Sequence, residues 1–272
     1  MGGSSDDEDE QDMQNRLFRG LFGDETTGAD DEDDDGLVSK HTWTLPSEEE
    51  VSLVYHLAFL APGHGDALWN SAESIAEHII VRGLRNDLFG DITWPPRRCI
   101  EFGAGAALPS LALIREGTHE VVISDMYVND QAFDAIRMSV DANADAWGLS
   151  SEVINSRVSV VPHSWGEDID KLCGSDGRAD LLIASDCIYN PMHHRALLES
   201  AIGTMNDGGL FVVGYSFHGN VSPNEVLAFF DLALEFGLEV TNGLDVESDG
   251  QRGIGSNDAS RGAVHLRVLE KR

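Results

Sequence analysis

Basic residues are scarce in this chain. Its 272 residues hold 18 Lys and Arg against 48 Asp and Glu, for a net charge of −30 at pH 7. Affinity for nucleic acid comes mainly from Lys and Arg on phosphates, so no nucleic-acid partner is expected. Cysteine is nearly absent too. Cys99, Cys173 and Cys187 form no CxxC and no disulfide framework, which favours a reducing compartment, cytosol or nucleus; a cytoplasmic location is expected. Two of the three lie in apolar, strand-like runs and read as buried, inert thiols. No apolar run approaches the ~20 residues of a membrane span, so no membrane partner is expected. The opening MGGSSDDEDE has no apolar core, and no secretory signal is expected there. Gly2 is followed at the sixth position by Asp6 rather than the Ser or Thr of a myristoylation site. G-x-S-x-G, a Walker-type Lys and metal-ligand spacing are all missing, so hydrolase and NTPase readings have little support and no metal is expected.

What the chain has is acid. Residues 1–50 carry 17 acidic and 3 basic side chains, and the remaining 222 residues carry 31 and 15. The acidity thus belongs to the body of the chain as well as its start. It would attract a basic protein substrate, or serve only solubility. Residues 1 to about 40 hold two acidic blocks, Asp6–Glu10 and Asp30–Asp35, and are expected to be a disordered tail. Between the blocks, Leu17, Phe18, Leu21 and Phe22 sit at helical spacing, either as a docking segment or as a chance cluster. Residues 41–272 are expected to form one domain, acting as a monomer.

Within that domain VSLVYHLAFL alternates like a strand. ALWNSAESIAEHIIVRGL then carries a helical stripe of Ala72, Ile75, Ala76, Ile79 and Ile80. After Pro95-Pro96 the pattern alternates. Strands are expected at 98–102, 120–124, 157–161, 180–184 and 210–217, and helices at about 107–115, 130–147, 191–205 and 223–236. Two closing strands near 238–246 and 262–270 have only a polar loop between them, so they read as an antiparallel hairpin at a sheet edge. The fold class is therefore α/β: a doubly wound, mostly parallel seven-stranded sheet.

In RRCIEFGAGAALPSLALI a strand runs into Gly103-Ala104-Gly105 and then a helix. In a doubly wound sheet this turn lies where ligands bind. The dinucleotide fingerprint G-x-G-x-x-G has its third glycine where this chain has Leu108, followed by Pro109. Glu101, two residues before Gly103, is expected to oppose a phosphate by its charge. Both features point away from NAD and towards a ligand without phosphates. Asp125, at the end of the next strand and 20 residues after Gly105, is placed to accept from ribose hydroxyls or to cap a helix. A ribose without a pyrophosphate points to S-adenosylmethionine.

LWNSA, IEFGAGAALPSL, ISDMY, HSWG and LLIASDCIYNPMHHRALL, in this order, resemble the seven-strand methyltransferases of family 16 over about residues 50 to 240. Within it they are most similar to the fungal branch first called nicotinamide N-methyltransferase-like. That branch is associated with methylating the N-terminal amine and adjacent lysine of elongation factor 1-alpha. GLFGDETTG resembles the same branch more weakly. The resemblance implies S-adenosylmethionine as cofactor, Rossmann-like topology, and an N-methyltransferase acting on a lysine or N-terminal amine. It implies cofactor contacts from Trp69, from Gly103, Ala104 and Gly105, from Asp125 at the ribose, from Trp165 near the adenine and from Ser185. Glu101 is counted with these residues. Asp186 and Tyr189 match a D-x-x-Y signature, which implies that they face the amine, Asp186 orienting it and Tyr189 packing on it. No His base is expected: of His193 and His194 one should be exposed and one packed, and His163 and His218 are wall residues at most. The strand-two loop DMYVND departs from the branch, which has Pro-Asp after the Tyr. A small-molecule N-methyltransferase and a catalytically silent domain remain as alternatives.

Overall fold

A computed structural model describes residues 37–45, 47–58, 67–81, 88–90, 92–174, 177–217, 221–247 and 263–272. The acidic blocks, the Leu17–Phe22 cluster, GLFGDETTG, His218 and the loop 248–262 lie outside the described residues.

Seven strands make the central sheet: β3 (Arg98–Phe102), β4 (Glu120–Asp125), β5 (Val158–Pro162), β6 (Ala179–Ser185), β7 (Met205–Tyr215), β8 (Leu238–Glu247) and β9 (Ala263–Lys271). Their order is β5-β4-β3-β6-β7-β9-β8. β3 to β7 are parallel, and β9 runs antiparallel between β7 and β8. The closing pair is thus an antiparallel hairpin whose second strand, not its first, joins the parallel sheet. The strand order reverses at β3, flanked by β4 and β6, so β3 opens onto the crevice where open α/β sheets bind ligands.

Alternate residues of the strands face opposite ways and feed two cores. One holds Cys99, Ile123, Ile183 and Val212 against Ile75 and Ile79 of α1 (Asn70–Ile80) and Leu111 of α2 (Leu108–Glu116). The other holds Ile100, Phe102, Leu182 and Phe211 against Leu197 of α6 (His194–Thr204) and Phe229 of α7 (Pro223–Glu235). Every residue of β3 is buried, as a strand covered on both faces requires. The remaining helices among the described residues are α3 (Asp130–Ala146), α4 (Ser151–Arg157) and α5 (Asp170–Cys173), with a 3-10 turn at Pro191–His193. Asn190 caps that turn through Met192 N–H, with Pro191 in its first position. Among the described residues no helix is long and apolar enough to cross a membrane.

Three elements go beyond the sequence reading. β1 (Leu37–Thr44) pairs antiparallel with β2 (Glu50–Leu57), so residues 37–40, expected to belong to the tail, lie in a strand. This hairpin docks on α3 through polar side chains. The Asn143 amide accepts from Val54 N–H and donates to Val54 C=O, and Ser139 Oγ accepts from His56 N–H. One amide thereby takes the place of a neighbouring strand for β2. α4 and α5 are the other two; α4 is started by Ser150, whose side chain accepts from Val153 N–H.

Candidate active site

Parallel register sets the site. Phe102 lies opposite Ser124 and Ala184, and Ser185 lies opposite Gly214. The residues that follow, Gly103, Asp125 and Asp186, therefore emerge at one end of the sheet. Trp165 follows β5 at the same end.

Gly103 and Gly105 both adopt positive φ, +59° and +50°. The space a side chain on Gly103 would need is already filled by protein: an added Cβ would lie 2.7 Å from Cys187 Sγ and 3.1 Å from Trp165 Cζ2. Trp165 thus packs against the glycine turn, and His193 meets its ring edge-on. Ser200 Oγ accepts from Gly166 N–H at 2.9 Å and bonds His163 Nε2 at 3.0 Å, bracketing the loop that carries Trp165. Both His193 and His194 pack, the first half-buried and the second buried, so the exposed member expected of that pair is not found.

Asp125 Oδ2 accepts from Gly105 N–H at 2.8 Å, and Oδ1 accepts from Met126 N–H at 2.7 Å. Asp125 caps no helix; Asn129 does that for α3, accepting from Ala132 N–H. The acid is therefore tied to the glycine turn, and a carboxylate is the acceptor a hydroxyl would meet there. A small cleft beside it is lined by Gly105, Asp125, Ala132, Ile136, His56 of β2 and Ala58 just past it. His56 carried no sequence signal, because the hairpin that delivers it was only half visible.

Glu101 is fully buried, and burial raises its pKa to about 8 against the lowering effect of Ser110. At neutral pH its carboxyl is mostly protonated, so the expected charge repulsion of a phosphate does not arise. The case against a pyrophosphate rests instead on Leu108 and Pro109, where Pro offers no N–H to an anion. The contacts of Glu101 explain its burial. α2 begins at Ala107, a residue in left-handed conformation that has no capping side chain. Glu101 Oε2 supplies the missing acceptor, taking both Ser110 N–H, at 3.0 Å, and Ser110 Oγ–H.

Asp186 repeats the device. α1 begins at Trp69, whose side chain cannot cap. Asp186 Oδ2 accepts from Ser71 Oγ at 2.6 Å and from Ser71 N–H at 3.4 Å, across 115 residues of sequence. Its Oδ1 accepts from Ser216 N–H at 2.9 Å. Asp186 itself has φ +52°, a conformation Asp tolerates better than most residues. Ser185 Oγ and Ser216 Oγ, beside it, are buried and lack a hydrogen-bond partner among the described residues. Cys187 is buried with its Sγ 3.3 Å from Phe102 O, and burial, with Asp125, Asp186 and Glu101 around it, pushes its pKa far up. Tyr189 is half-buried, and burial pushes its phenol up to about 12, so it stays protonated. Ser71, Ser110 and Ser216 were not singled out in the sequence, and Cys187 was named there only as one of three thiols outside any disulfide framework; their roles depend on partners remote in the chain.

The donor set suits S-adenosylmethionine. A glycine turn without an anion-binding third glycine, an acid tied to that turn, an aromatic ring on it and the unpartnered Ser185 hydroxyl match a nucleoside without phosphates.

A family model described as lysine methyltransferase matches residues 51–223. The protein N-terminal and lysine N-methyltransferase EFM7 of Yarrowia lipolytica is 30% identical over 200 residues, which cover 70% of this chain and 71% of that protein. The protein of the same name from Cryptococcus neoformans var. neoformans serotype D is 32% identical over 161 residues, covering 58% of this chain and 49% of that protein. The match thus spans about half the length of the Cryptococcus relative. A solved structure described as a SAM-dependent methyltransferase from Streptococcus mutans has a TM-score of 0.55 at 11% identity, covering 85% of this chain and 55% of that one. That likeness is one of fold.

Proposed function

The chain belongs to the lysine methyltransferase family, and on that premise we propose that it transfers a methyl group from S-adenosylmethionine to an amine of a protein. The acceptor is a lysine or an N-terminal amine, with elongation factor 1-alpha as the first substrate to try, in the cytoplasm. The observation that carries this reading is the bond from Gly105 N–H to Asp125 Oδ2, which holds an acid at the switch point, where it would accept from a ribose, without any phosphate cradle.

When bound, S-adenosylmethionine supplies a methyl group already activated on a sulfonium. The protein's work is then alignment, which can contribute ~7–11 kcal/mol of the barrier. Gly103, Ala104 and Gly105 line the cofactor with backbone, and Asp125 accepts from its ribose. Trp165 packs beside the adenine, while Trp69 and Ser185 complete the wall. Glu101 supports this wall from beneath by holding the start of α2. Asp186 and Tyr189 stand on the acceptor side. The attacking amine must be neutral; a lysine starts from a pKa near ~10.4 and an α-amine from ~7.7–8.0. A partly apolar pocket lowers both. Tyr189, held protonated, packs on the amine's stem and takes up no proton. The acidic surface draws in a basic protein.

The test is transfer of labelled methyl from S-adenosylmethionine to proteins of a fungal extract, resolved by size, with Gly103→Arg as control. Label in a protein band, absent with the control, supports the reading. Label confined to small molecules would replace it with a small-molecule N-methyltransferase.

A further inference from the structure

The two helices that border the site begin without a cap of their own. Trp69 and Ala107 carry no side-chain acceptor, and no side-chain cap bond forms at either. Buried donors at a helix start must find an acceptor, because a buried N–H left unpaired forfeits the bond it made to water. In both places the acceptor is a carboxyl oxygen from the end of a central strand or just past it, and its partner is a serine giving both N–H and O–H to that one oxygen.

The pair at α1 has a consequence for the reaction. Asp186 joins three elements: its N–H donates to Gly214 O on β7 at 2.8 Å, Oδ1 takes Ser216 N–H, and Oδ2 takes Ser71. The start of α1 lies directly on the β7 backbone, since a Cβ on Gly214 would sit 2.9 Å from Ser71 Cβ. Trp69 immediately precedes this turn, and its carbonyl accepts from Ala72 N–H and Glu73 N–H. The direction of the chain at Trp69 is therefore set by the same carboxylate that borders the acceptor side.

We propose that Ser71 is a positioning residue for methyl transfer: through Asp186 it fixes the start of α1, and so Trp69, against the cofactor. Asp186 then acts first as a cap supplied from a distance, and cofactor and acceptor sides are coupled through one carboxylate. This rests on the methyltransferase reading for its effect on binding, but the cap itself does not.

The test uses the full chain and the variants Ser71→Ala, Ser71→Thr, Asp186→Asn and the double Ser71→Ala/Asp186→Asn. Two quantities are measured: affinity for S-adenosylmethionine by calorimetry, and hydrogen exchange of the amides of residues 71–73. Ser71→Ala is expected to weaken cofactor binding about tenfold and to speed exchange by a similar factor. Ser71→Thr, which keeps the hydroxyl, returns both to within about twofold of wild type. The double variant is no worse than Asp186→Asn alone, because both remove one interaction. Wild-type affinity in Ser71→Ala, no rescue by threonine, or additive losses in the double variant would each overturn the proposal. If the wild-type chain binds no S-adenosylmethionine, the methyltransferase reading fails. Unchanged exchange in Ser71→Ala would separately disprove the cap.

Discussion

Gly105 donates its backbone N–H to Asp125 Oδ2 at 2.8 Å, joining the turn after β3 to the end of β4. The bond does two things at once. It holds the turn at its positive φ, and it points one acid at the crevice where the strand order reverses. Asp125→Ala removes the acceptor for Gly105 and Met126 as well as the ribose contact. It is expected to weaken S-adenosylmethionine binding between about tenfold and about a hundredfold, as loss of charge-assisted hydrogen bonds implies. Calorimetric titration checks this; unchanged affinity would move the ribose away from Asp125.

Gly103 is fixed by its neighbours. Gly103→Ala places a methyl 2.7 Å from Cys187 Sγ and 3.1 Å from Trp165, at a φ that disfavours any side chain. A loss of about 1–3 kcal/mol in stability is expected. Adding Cys187→Ala should recover part of it, since the thiol is one of the two obstacles, while the backbone strain stays. Chemical denaturation of the two single variants and the double variant reads the coupling; strict additivity would mean that Gly103 and Cys187 do not meet.

Glu101 predicts a pH dependence. Its pKa is raised from an ordinary 4.5 to about 8 by burial. Between these values the folded chain holds a proton that the unfolded chain has released. Stability from this group therefore falls as pH rises through that window, and the penalty is complete above about pH 8. Glu101→Gln keeps an oxygen for Ser110 and cannot ionise. It is expected to melt near wild type at pH 4.5 and to be more stable by on the order of a few kcal/mol at pH 8.5. Thermal melts across pH check this, and a difference that does not grow with pH would contradict it.

Asn143 is 2% exposed and satisfies both backbone groups of Val54. Asn143→Ala leaves them without that partner and is expected to cost about 2–4 kcal/mol, releasing the β1–β2 hairpin from α3. Hydrogen exchange at Val54 reports the release directly; unchanged protection there would show that the hairpin docks by other means.

Legibility followed range. The parallel strands were readable because a strand buried on both faces is a short apolar run, as RCIEF and LLIAS are. The hairpin β1–β2 was half readable: EVSLVYHL alternates, but LVSKHTWT adjoins an acidic stretch and is mostly polar. α4 and α5 are too short, at 7 and 4 residues, to show a period. That Gly103, Gly105 and Asp125 meet at one end of the sheet was legible from spacing. Trp69, Trp165, Ser185, Asp186 and Tyr189 came through likeness to a family. Neither route assigned a role to Ser71 and Ser110, because the carboxyl groups that they meet belong to β3 and to the residue after β6. The sequence also misled on Glu101, where a charge was inferred that burial removes.

The most direct test of the account is calorimetric titration of the full chain with S-adenosylmethionine and, separately, with NAD. The account predicts one saturable site for S-adenosylmethionine, weakened by Asp125→Ala, and no binding of NAD. Binding of NAD, or no binding of S-adenosylmethionine by the wild-type chain, would contradict a glycine turn built for a nucleoside without phosphates.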